Sequence, residues 1–371
     1  MARILFLFAH LHKGGMQRAV SNITKSLPAS LELHLAYFGT DNPHFTFQAK
    51  HHYLAVPGSA DDNLLKKAFN FLRRVTRLRN LVGSEQIETV ISFGEIGNIY
   101  NLLTPHTARK LISIRVDIDS QLAEFGRVGP LVGKLLYGLY SRAERIICVS
   151  KELEEKLKRR APATSLRAIT INNLYPVDEI DSLSKQELPV EHRHLEGRRY
   201  ILGVGSLIEQ KGFDILIRVF AHLADQSAIL VIIGDGIELE KLRQNAKSLN
   251  VLNRVIFVDH DTNPYRYMRR ATIFALPSRY EGFPNVLIEA MACGAPVVAF
   301  DCPTGPREIL GNNVWGKLVP QGDEHLFRLS IQYLLDDEYA RIALGQLAKV
   351  RAADFRAEKI AGQWEAICRL Q

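Results

Sequence analysis

The chain has 371 residues, of which 47% are hydrophobic, and a formal net charge of +7. This length exceeds that of one ordinary domain, so two domains are expected. The sequence lacks a run of about 18 apolar residues, which excludes a predicted transmembrane helix. The four cysteines have neither paired nor metal-like spacing. We expect them to be free thiols in a reducing compartment.

The charge is distributed unevenly. Residues 1–160 contain 23 Lys and Arg against 14 Asp and Glu, whereas the remainder contains 24 against 26. A basic N-terminal half indicates an anionic partner, which would be a membrane surface, a pyrophosphate or a nucleic acid. A solvated surface that is basic without a partner is the alternative.

The first half alternates apolar runs with helical patterns. Ile4–Phe8 is predicted to be a buried first strand and not a signal peptide, because no small-residue cleavage site follows it. A helix is predicted from Met16 to Leu27. Further strands are predicted at Leu33–Phe38, Thr89–Ser92, Lys110–Ile114 and Arg145–Val149. This alternation predicts an α/β fold with a parallel sheet, which binds ligands at the carboxyl ends of its strands.

Residues 64–79 form a predicted amphipathic, basic helix. One face carries the apolar residues Leu65, Ala68, Phe69, Leu72 and Val75. The opposite face carries Lys66, Arg73 and Arg77. Such a helix can dock on anionic lipid. The alternative is an ordinary surface helix that packs its apolar face on its own sheet.

A polar stretch separates the two halves. We predict an N-terminal domain over 1–174, a linker over 175–198, a C-terminal domain over 199–354 and a final helix over 355–371. Strands of the second domain are predicted at Tyr200–Val204, Ala228–Ile233, Val255–Val258, Thr272–Leu276 and Pro296–Phe300. After residue 320 the pattern is helical to the end. A cleft between two such domains is a common ligand site.

The segment from Pro277 to Ala290 carries the strongest chemical signal, two carboxylates eight residues apart. Glu281 lies in a Gly/Pro turn, and Glu289 lies in the helix that follows. Pro284 suits the first helical position, where its missing N–H costs nothing. The free N–H groups of that first turn favour a phosphate or a developing anion. Glu281 can then bind sugar hydroxyls and Glu289 a ribose diol.

Several strand-to-helix turns add candidate ligand contacts. Gly14 and Gly15 follow the first strand, where glycine lets the backbone approach a phosphate. Ser206 and Lys211 follow the first strand of the second domain, and a lysine there suits a diphosphate. Gly234 ends the next strand and leaves room for a nucleobase. The turn at 301–310 is expected to line the same cleft or to be purely structural.

Together these motifs resemble the retaining glycosyltransferases of family four over nearly the whole chain. The resemblance includes the Gly14-Gly15 loop, the segments 143–150 and 211–214, the Glu281/Glu289 pair and residues 305–309. It implies a GT-B fold, in which two Rossmann-like domains face each other across a cleft that holds a nucleotide-sugar. It also implies that the last helix returns to the first domain.

The resemblance implies roles for individual residues. Glu281 and Lys211 would be the catalytic pair, with Glu281 at the donor sugar and Lys211 at the diphosphate. The implied donor-binding residues are Gly15, Ser206, Lys211, Gly234, Arg279, Phe283, Asn285, Val286 and Glu289. The reaction would retain the anomeric configuration and would need no metal or other cofactor.

Two positions depart from the family pattern. The family commonly has an arginine where this chain has Ser206, so Arg279 is the candidate substitute cation. Many members also have an acceptor-side histidine, but residues 111–130 contain none. Gly14, Arg115 and Asp117 are therefore the residues expected on the acceptor side.

The resemblance implies a hexosyltransferase that uses a UDP-hexose or UDP-N-acetylhexosamine. The implied acceptor is a lipid-linked saccharide in surface polysaccharide or lipopolysaccharide synthesis. We expect a cytoplasmic protein, either free or peripheral on the inner face of the cell membrane through residues 64–79. Two alternatives stay open, a UDP-sugar 2-epimerase of the same fold and a basic nucleic-acid-binding protein. The latter lacks a recognised motif.

Overall fold

The computed structural model describes residues 1–11, 14–39, 44–56, 63–123 and 125–369. The chain divides into two compact units. Unit 1 comprises Met1–Leu174 together with Ala357–Gln371, and unit 2 comprises Tyr175–Arg356. All four cysteines are buried and free. Among the described residues, no helix combines the length and the apolar character needed to cross a bilayer.

Unit 1 is built on a seven-stranded parallel sheet with the order β3-β2-β1-β4-β5-β6-β7. Its strands are β1 (Ala2–Phe8), β2 (Leu31–Tyr37), β3 (Lys50–Tyr53), β4 (Thr89–Phe93), β5 (Arg109–Ile114), β6 (Arg145–Cys148) and β7 (Ala168–Thr170). The central strands are apolar and almost fully buried, as expected for a parallel sheet covered on both faces. Register is set by pairs such as Ile4 with Leu33 and with Thr89.

Six helices of unit 1 connect these strands. They are α1 (Gly15–Ser26), α2 (Leu64–Ser84), α3 (Glu95–Leu103), α4 (Ile118–Ala123), α5 (Gly129–Tyr140) and α6 (Lys151–Arg160). The side chain of Ser150 caps α6 by accepting a hydrogen bond from the N–H of Leu153. Part of α2 packs on the sheet through Leu78, Leu81 and Val82.

Unit 2 repeats this topology in a six-stranded parallel sheet with the order β10-β9-β8-β11-β12-β13. Its strands are β8 (Tyr200–Val204), β9 (Ile229–Ile233), β10 (Val255–Val258), β11 (Ile273–Leu276), β12 (Val297–Asp301) and β13 (Lys317–Pro320). Its helices are α7 (Val177–Ser184), α8 (Phe213–Ala221), α9 (Leu239–Ser248), α10 (Tyr265–Arg270), α11 (Asn285–Ala292), α12 (Pro306–Leu310), α13 (Glu324–Asp336) and α14 (Glu338–Ala352). The pairs Tyr200–Ile229 and Ile273–Ile201 fix the register around β8.

The stretch 175–198, expected to be a linker, is folded into unit 2. It contains α7, which packs against α10 and α11, and its Leu195 is fully buried. Its polar and proline-rich composition predicts a connector, but the apolar face of α7 is covered by neighbouring helices.

The last helix, α15 (Ala357–Arg369), belongs to unit 1. It packs against α1, and its Trp364 is fully buried with the ring centroid 6.2 Å from that of Phe93. This confirms that the final helix returns to the first domain.

The two sheets share one topological feature. In each, the strand order reverses between the first and fourth strands, which are β1 and β4 in unit 1 and β8 and β11 in unit 2. Connections that leave a parallel sheet in opposite directions open a crevice at the carboxyl ends of those two strands. The loops after these four strands are therefore the expected ligand-binding loops.

Candidate active site

Lys211 and Glu281 meet in unit 2, at the point where the strand order reverses. Lys211 lies in the turn after β8, and Glu281 lies in the loop after β11. Lys211 Nζ donates a hydrogen bond to Glu281 Oε1 at 2.6 Å. The carboxylate side chain is 7% exposed and the lysine side chain 21%. A charge-assisted bond of this kind fixes both side chains at the rim of the sheet.

Backbone contacts hold the two loops together beneath this ion pair. The N–H of Arg279 donates to the carbonyl of Gln210 at 2.8 Å, and Gln210 Nε2 donates to the carbonyl of Tyr280 at 2.9 Å. Gly212 has a φ of +68°, and an added Cβ would lie 2.1 Å from the carbonyl oxygen of Pro277. Only glycine permits this approach, so it determines how Lys211 sits against the loop that carries Glu281.

Glu281 is also held by contacts with a third segment, the turn at 301–310. Ser278 Oγ donates to Glu281 Oε1 at 2.8 Å. The N–H of Glu281 donates to the carbonyl of Pro303 at 3.2 Å, and Thr304 Oγ1 donates to the carbonyl of Glu281 at 2.5 Å. The turn at 301–310 therefore contacts the Glu281 loop directly.

Helix α11 begins at Asn285, with Pro284 in the cap position just outside the helix. Pro284 was predicted to be the first helical residue, so that expectation is wrong by one position. Tyr175 Oη donates to Asn285 Oδ1 at 2.6 Å, which orients the first turn. Glu289 is 1% exposed within α11. A carboxylate at such a buried position needs hydrogen-bond partners.

Phe283 and Val286 flank the start of the same helix. The Phe283 side chain is buried, with its ring centroid 5.5 Å from that of Phe355 in an edge-on arrangement. Val286 is partly exposed. The Phe283 side chain therefore packs within unit 2.

The other predicted donor residues lie at the ends of β8 and β9. Ser206 is exposed, and Gly234 is partly exposed. Gly234 has a φ of +153°, and an added Cβ would lie 1.9 Å from the carbonyl oxygen of Gly205. The absence of a side chain at Gly234 thus lets these two strand-end loops touch.

Arg279, the candidate substitute cation, makes a two-point contact with Asp214. Its Nη1 and Nη2 lie 2.9 and 2.8 Å from Oδ1 and Oδ2 of that carboxylate. Burial acts to raise the pKa of Asp214, but the hydrogen bonds and charges of Arg279 and Arg218 together outweigh it and lower the pKa. Nη1 also donates to the carbonyl of Glu209 at 2.6 Å. These contacts fasten the Glu281 loop to the turn that carries Lys211.

In unit 1, the predicted acceptor-side residues do not form one cluster among the described contacts. Gly14 precedes α1 in an extended conformation, and Gly15 is the first residue of that helix. Arg115 donates to Asn173 Oδ1. Asp117 is fully buried and accepts hydrogen bonds from Ser120 Oγ and, at 2.6 Å, from Lys156 Nζ.

Residues 184–351 match the family model described as "Glycosyl transferases group 1". Over this segment the chain is similar to the group 1 glycosyltransferases. A similar protein along its whole length is a Campylobacter jejuni enzyme named N-acetylgalactosamine-N,N'-diacetylbacillosaminyl-diphospho-undecaprenol 4-alpha-N-acetylgalactosaminyltransferase. It is 29% identical over 363 residues, which cover 96% of each chain. The amylovoran biosynthesis glycosyltransferase AmsD of Erwinia amylovora is 30% identical over 64% of this chain and 65% of its own length.

Two solved structures share the fold of this glycosyltransferase. Sucrose-phosphate synthase of Thermosynechococcus elongatus superposes with a TM-score of 0.83 at 20% identity and covers 100% of this chain and 98% of its own. HepE of Anabaena, solved with UDP, has a TM-score of 0.79 at 19% identity, with 99% and 100% covered. Together with the two sheets described above, these similarities confirm a GT-B fold with two Rossmann-like domains.

Glu95, at the reversal point of unit 1, was not among the residues predicted from the sequence. Glu95 is separated from β4 by Gly94 and is the first residue of α3. Its Oε1 is buried without a hydrogen-bond partner among the described residues, and burial raises its pKa above the usual 4.5. Glu95 comes one residue after the glycine that follows this strand. Parallel sheets place ligand-binding side chains in such positions, so the sequence could have indicated Glu95.

Proposed function

We propose that this glycosyltransferase moves a hexose or N-acetylhexosamine from a UDP-sugar to a lipid-linked saccharide, with retention of the anomeric configuration. The observation that carries the proposal is the Lys211–Glu281 pair at the reversal point of unit 2. A cation and a buried carboxylate joined there suit a ligand that combines a diphosphate with a sugar.

In the proposed reaction Lys211 stabilises the departing diphosphate. An ammonium group has three N–H donors, and one of them is used by Glu281. The other two are available to diphosphate oxygens. The positive end of the α11 helix dipole, at Asn285, adds a second favourable environment for negative charge.

Glu281 positions the donor sugar in this proposal. Lys211 and Ser278 both donate to Oε1 of Glu281, so Oε2 is the oxygen proposed to accept a sugar hydroxyl. Glu289 would accept two hydrogen bonds from the ribose, while Ser206 and Gly234 would border the nucleotide. Arg279 holds the loop in place.

The chemical step would be front-side attack of the acceptor hydroxyl on the anomeric carbon. The bond to the diphosphate breaks, the new glycosidic bond forms on the same face, and the leaving diphosphate takes the hydroxyl proton. The protein contributes orientation and charge stabilisation. The proposal requires no metal ion, because Lys211 and the helix start supply the positive charge.

The relatives support the donor and acceptor classes. The Campylobacter jejuni enzyme described above is named for transfer of N-acetylgalactosamine to a diphospho-undecaprenol-linked acceptor. HepE was solved with UDP. On the acceptor side we propose Gly14, Arg115 and Asp117, with Glu95 as an addition from the structure.

A transfer assay tests the proposed reaction. The protein is incubated with each of four UDP-sugars (glucose, galactose and their N-acetylamino forms) and an undecaprenyl-diphosphate-linked saccharide, with and without EDTA. We expect one donor to give an α-linked product by NMR at a rate that EDTA leaves unchanged. A β-linked product would contradict retention. Epimerised UDP-sugar formed without acceptor would support the 2-epimerase alternative instead.

The structure also bears on the proposed membrane surface. In the first three turns of α2, three large apolar side chains point to solvent. Leu65 is 83% exposed, Phe69 59% and Leu72 62%. The neighbouring Lys66, Lys67 and Arg73 are also exposed. We therefore propose that this end of α2 docks on anionic lipid, since it offers apolar area and positive charge together.

Two of the basic residues in this helix have structural contacts instead. Arg74 donates to the carbonyl of Val56 from Nε at 3.0 Å and from Nη2 at 2.8 Å. Arg77 donates to the carbonyl of Ala55 at 2.7 Å. They hold the preceding loop and are left unchanged in the experiment that follows.

A liposome experiment tests the docking surface. The triple change Lys66→Glu, Lys67→Glu and Arg73→Glu should reduce sedimentation with vesicles of anionic lipid at least tenfold, because about 1 kcal/mol is lost per basic residue near the surface. The matched control replaces Lys151, Lys158 and Arg159 of α6 with Glu. Equal binding by the triple variant and the wild type would contradict membrane docking through α2.

A further inference from the structure

A cluster of two histidines and a glutamate lies in unit 1, away from the reversal point of its sheet. His34 on β2, His52 on β3 and Glu85 at the end of α2 bring their ligand atoms within 4.8 Å of one another. His34 Nδ1 is 2.9 Å from His52 Nε2 and 4.0 Å from Glu85 Oε2. In a tetrahedral zinc site, neighbouring ligand atoms are about 3.4 Å apart, as follows from Zn–N bonds of about 2.0–2.1 Å.

The register of the two strands explains why the histidines meet. His34 is paired with Lys50, and Ala36 with His52, so His34 and His52 lie on the same face of the sheet. Their rings are stacked, with centroids 5.1 Å apart and an interplanar angle of 9°. Glu85 is the C-cap of α2, where the negative end of the helix dipole favours a cation.

The surroundings of His34 suit a metal ligand. Its side chain is fully buried, and its Nε2 lies 3.3 Å from Oε1 of Glu32. A carboxylate next to the second ring nitrogen is a common feature of metal-binding histidines, because it favours the proton on that nitrogen and leaves the other as a ligand.

We propose that His34, His52 and Glu85 bind a Zn²⁺ ion that fastens the edge strand β3 to β2 and to the end of α2. Two imidazoles and a carboxylate form a donor set that zinc accepts, with a fourth position left for water. The site is separate from the proposed donor site and takes no part in sugar transfer. Its ligands come from three separated segments, which is why their spacing in the sequence shows no metal motif.

Lys50 competes with the metal in this arrangement. Its Nζ lies 3.0 and 2.8 Å from the two oxygens of Glu85, and its side chain is 56% exposed. Zinc binding would displace the ammonium from at least one oxygen. Removal of this charge should therefore tighten zinc binding, a result that a cluster of purely structural hydrogen bonds would not produce.

Metal titration of the whole, untagged chain tests the site. After chelator treatment, we expect one Zn²⁺ to bind per chain, a rise in melting temperature, and the visible absorption of a tetrahedral site when Co²⁺ is used instead. His52→Gln and Glu85→Gln should each weaken zinc binding at least tenfold, and Lys50→Met should strengthen it.

The matched control is His51→Gln. His51 is the next residue on β3 but lies on the opposite face of the sheet and is exposed. This variant should bind zinc like the wild type. Equal loss of affinity in His51→Gln and His52→Gln, or no stoichiometric zinc binding by the wild type, would overturn the proposal. Neither result would bear on sugar transfer, which is measured separately.

Discussion

The two units place different chemistry on the same scaffold. Both sheets have their first and fourth strands side by side at the reversal point. In unit 2 the loops after these strands bring Lys211 and Glu281 into direct contact. In unit 1 the corresponding loops lead to Gly14 and Gly15 after β1 and to Glu95, whose Oε1 is buried, after β4. Topology fixes where a ligand can bind, and the loop residues decide which ligand it is.

The two reversal points also differ in how their side chains are hydrogen-bonded. In unit 2, backbone hydrogen bonds and the Arg279–Asp214 pair link the loops on either side of the ion pair. In unit 1, Glu95 has a buried oxygen without a partner among the described residues. A preorganised charged pair suits a diphosphate that is common to many donors. An unsatisfied carboxyl suits a hydroxyl supplied by a variable acceptor.

The largest expected effect comes from Glu281→Gln. This change keeps the side-chain volume but removes the charge that pairs with Lys211. We expect turnover to fall by about 10²–10³-fold, the typical effect of removing one electrostatic group from an active site, with circular dichroism unchanged. Glu209→Gln, an exposed residue in the turn that carries Lys211, is the control. If Glu281→Gln kept turnover within twofold of the wild type, the assignment of this site would be contradicted.

A smaller effect is expected from Gly212→Ala, which disturbs the loop contact without touching a charge. The added Cβ would lie 2.1 Å from the carbonyl oxygen of Pro277 at a φ of +68°. Strain and overpacking together should cost on the order of 2–5 kcal/mol of stability and reduce turnover. Gly362→Ala in α15 is the control, because its Cβ would meet no atom within 4 Å. Equal melting temperatures for the two variants would show that the contact is unimportant.

The smallest expected effect is a pH-dependent change in the free energy of unfolding, caused by Glu95. Burial raises its pKa above 4.5, so the folded state favours the protonated form. The resulting stability is complete below pH 4.5 and is lost as the pH rises through the raised value. Compared with Glu95→Gln, the wild type should lose about 1.4 kcal/mol of unfolding free energy for each unit of pKa difference. Urea unfolding across this range measures it, with the exposed Glu155→Gln as control. Parallel curves for the wild type and Glu95→Gln would contradict the raised pKa.

The strands of both sheets were largely predictable from the sequence. Long apolar runs such as Tyr200–Val204 and Val255–Val258 coincide with β8 and β10. The missed strands β3, β7 and β13 are three or four residues long and lie at the edges of their sheets or next to them. Such strands bury little apolar area, so their hydrophobic pattern is weak. They form because a neighbouring strand offers unpaired backbone groups.

The residues of the candidate site could be predicted from the sequence, but their contacts with one another could not. The Glu281 loop and Lys211 are visible as strand-end features, and the parallel topology brings them to one edge of the sheet. The sequence contains no sign that Asp214 would pair with Arg279, because that contact depends on how α8 sits against the loop. The same limitation applies to His34, His52 and Glu85, which meet only through strand register.

The most direct test of the account is the affinity for UDP, measured by calorimetry in EDTA for the wild type, Lys211→Ala and Glu95→Gln. If unit 2 holds the nucleotide through its reversal point, Lys211→Ala should weaken UDP binding by about 10–100-fold, since a hydrogen bond to a charged group contributes about 1.5–3 kcal/mol. Glu95→Gln should bind UDP as the wild type does. Unchanged affinity in Lys211→Ala, or loss of affinity in Glu95→Gln alone, would contradict the assignment of the donor to unit 2.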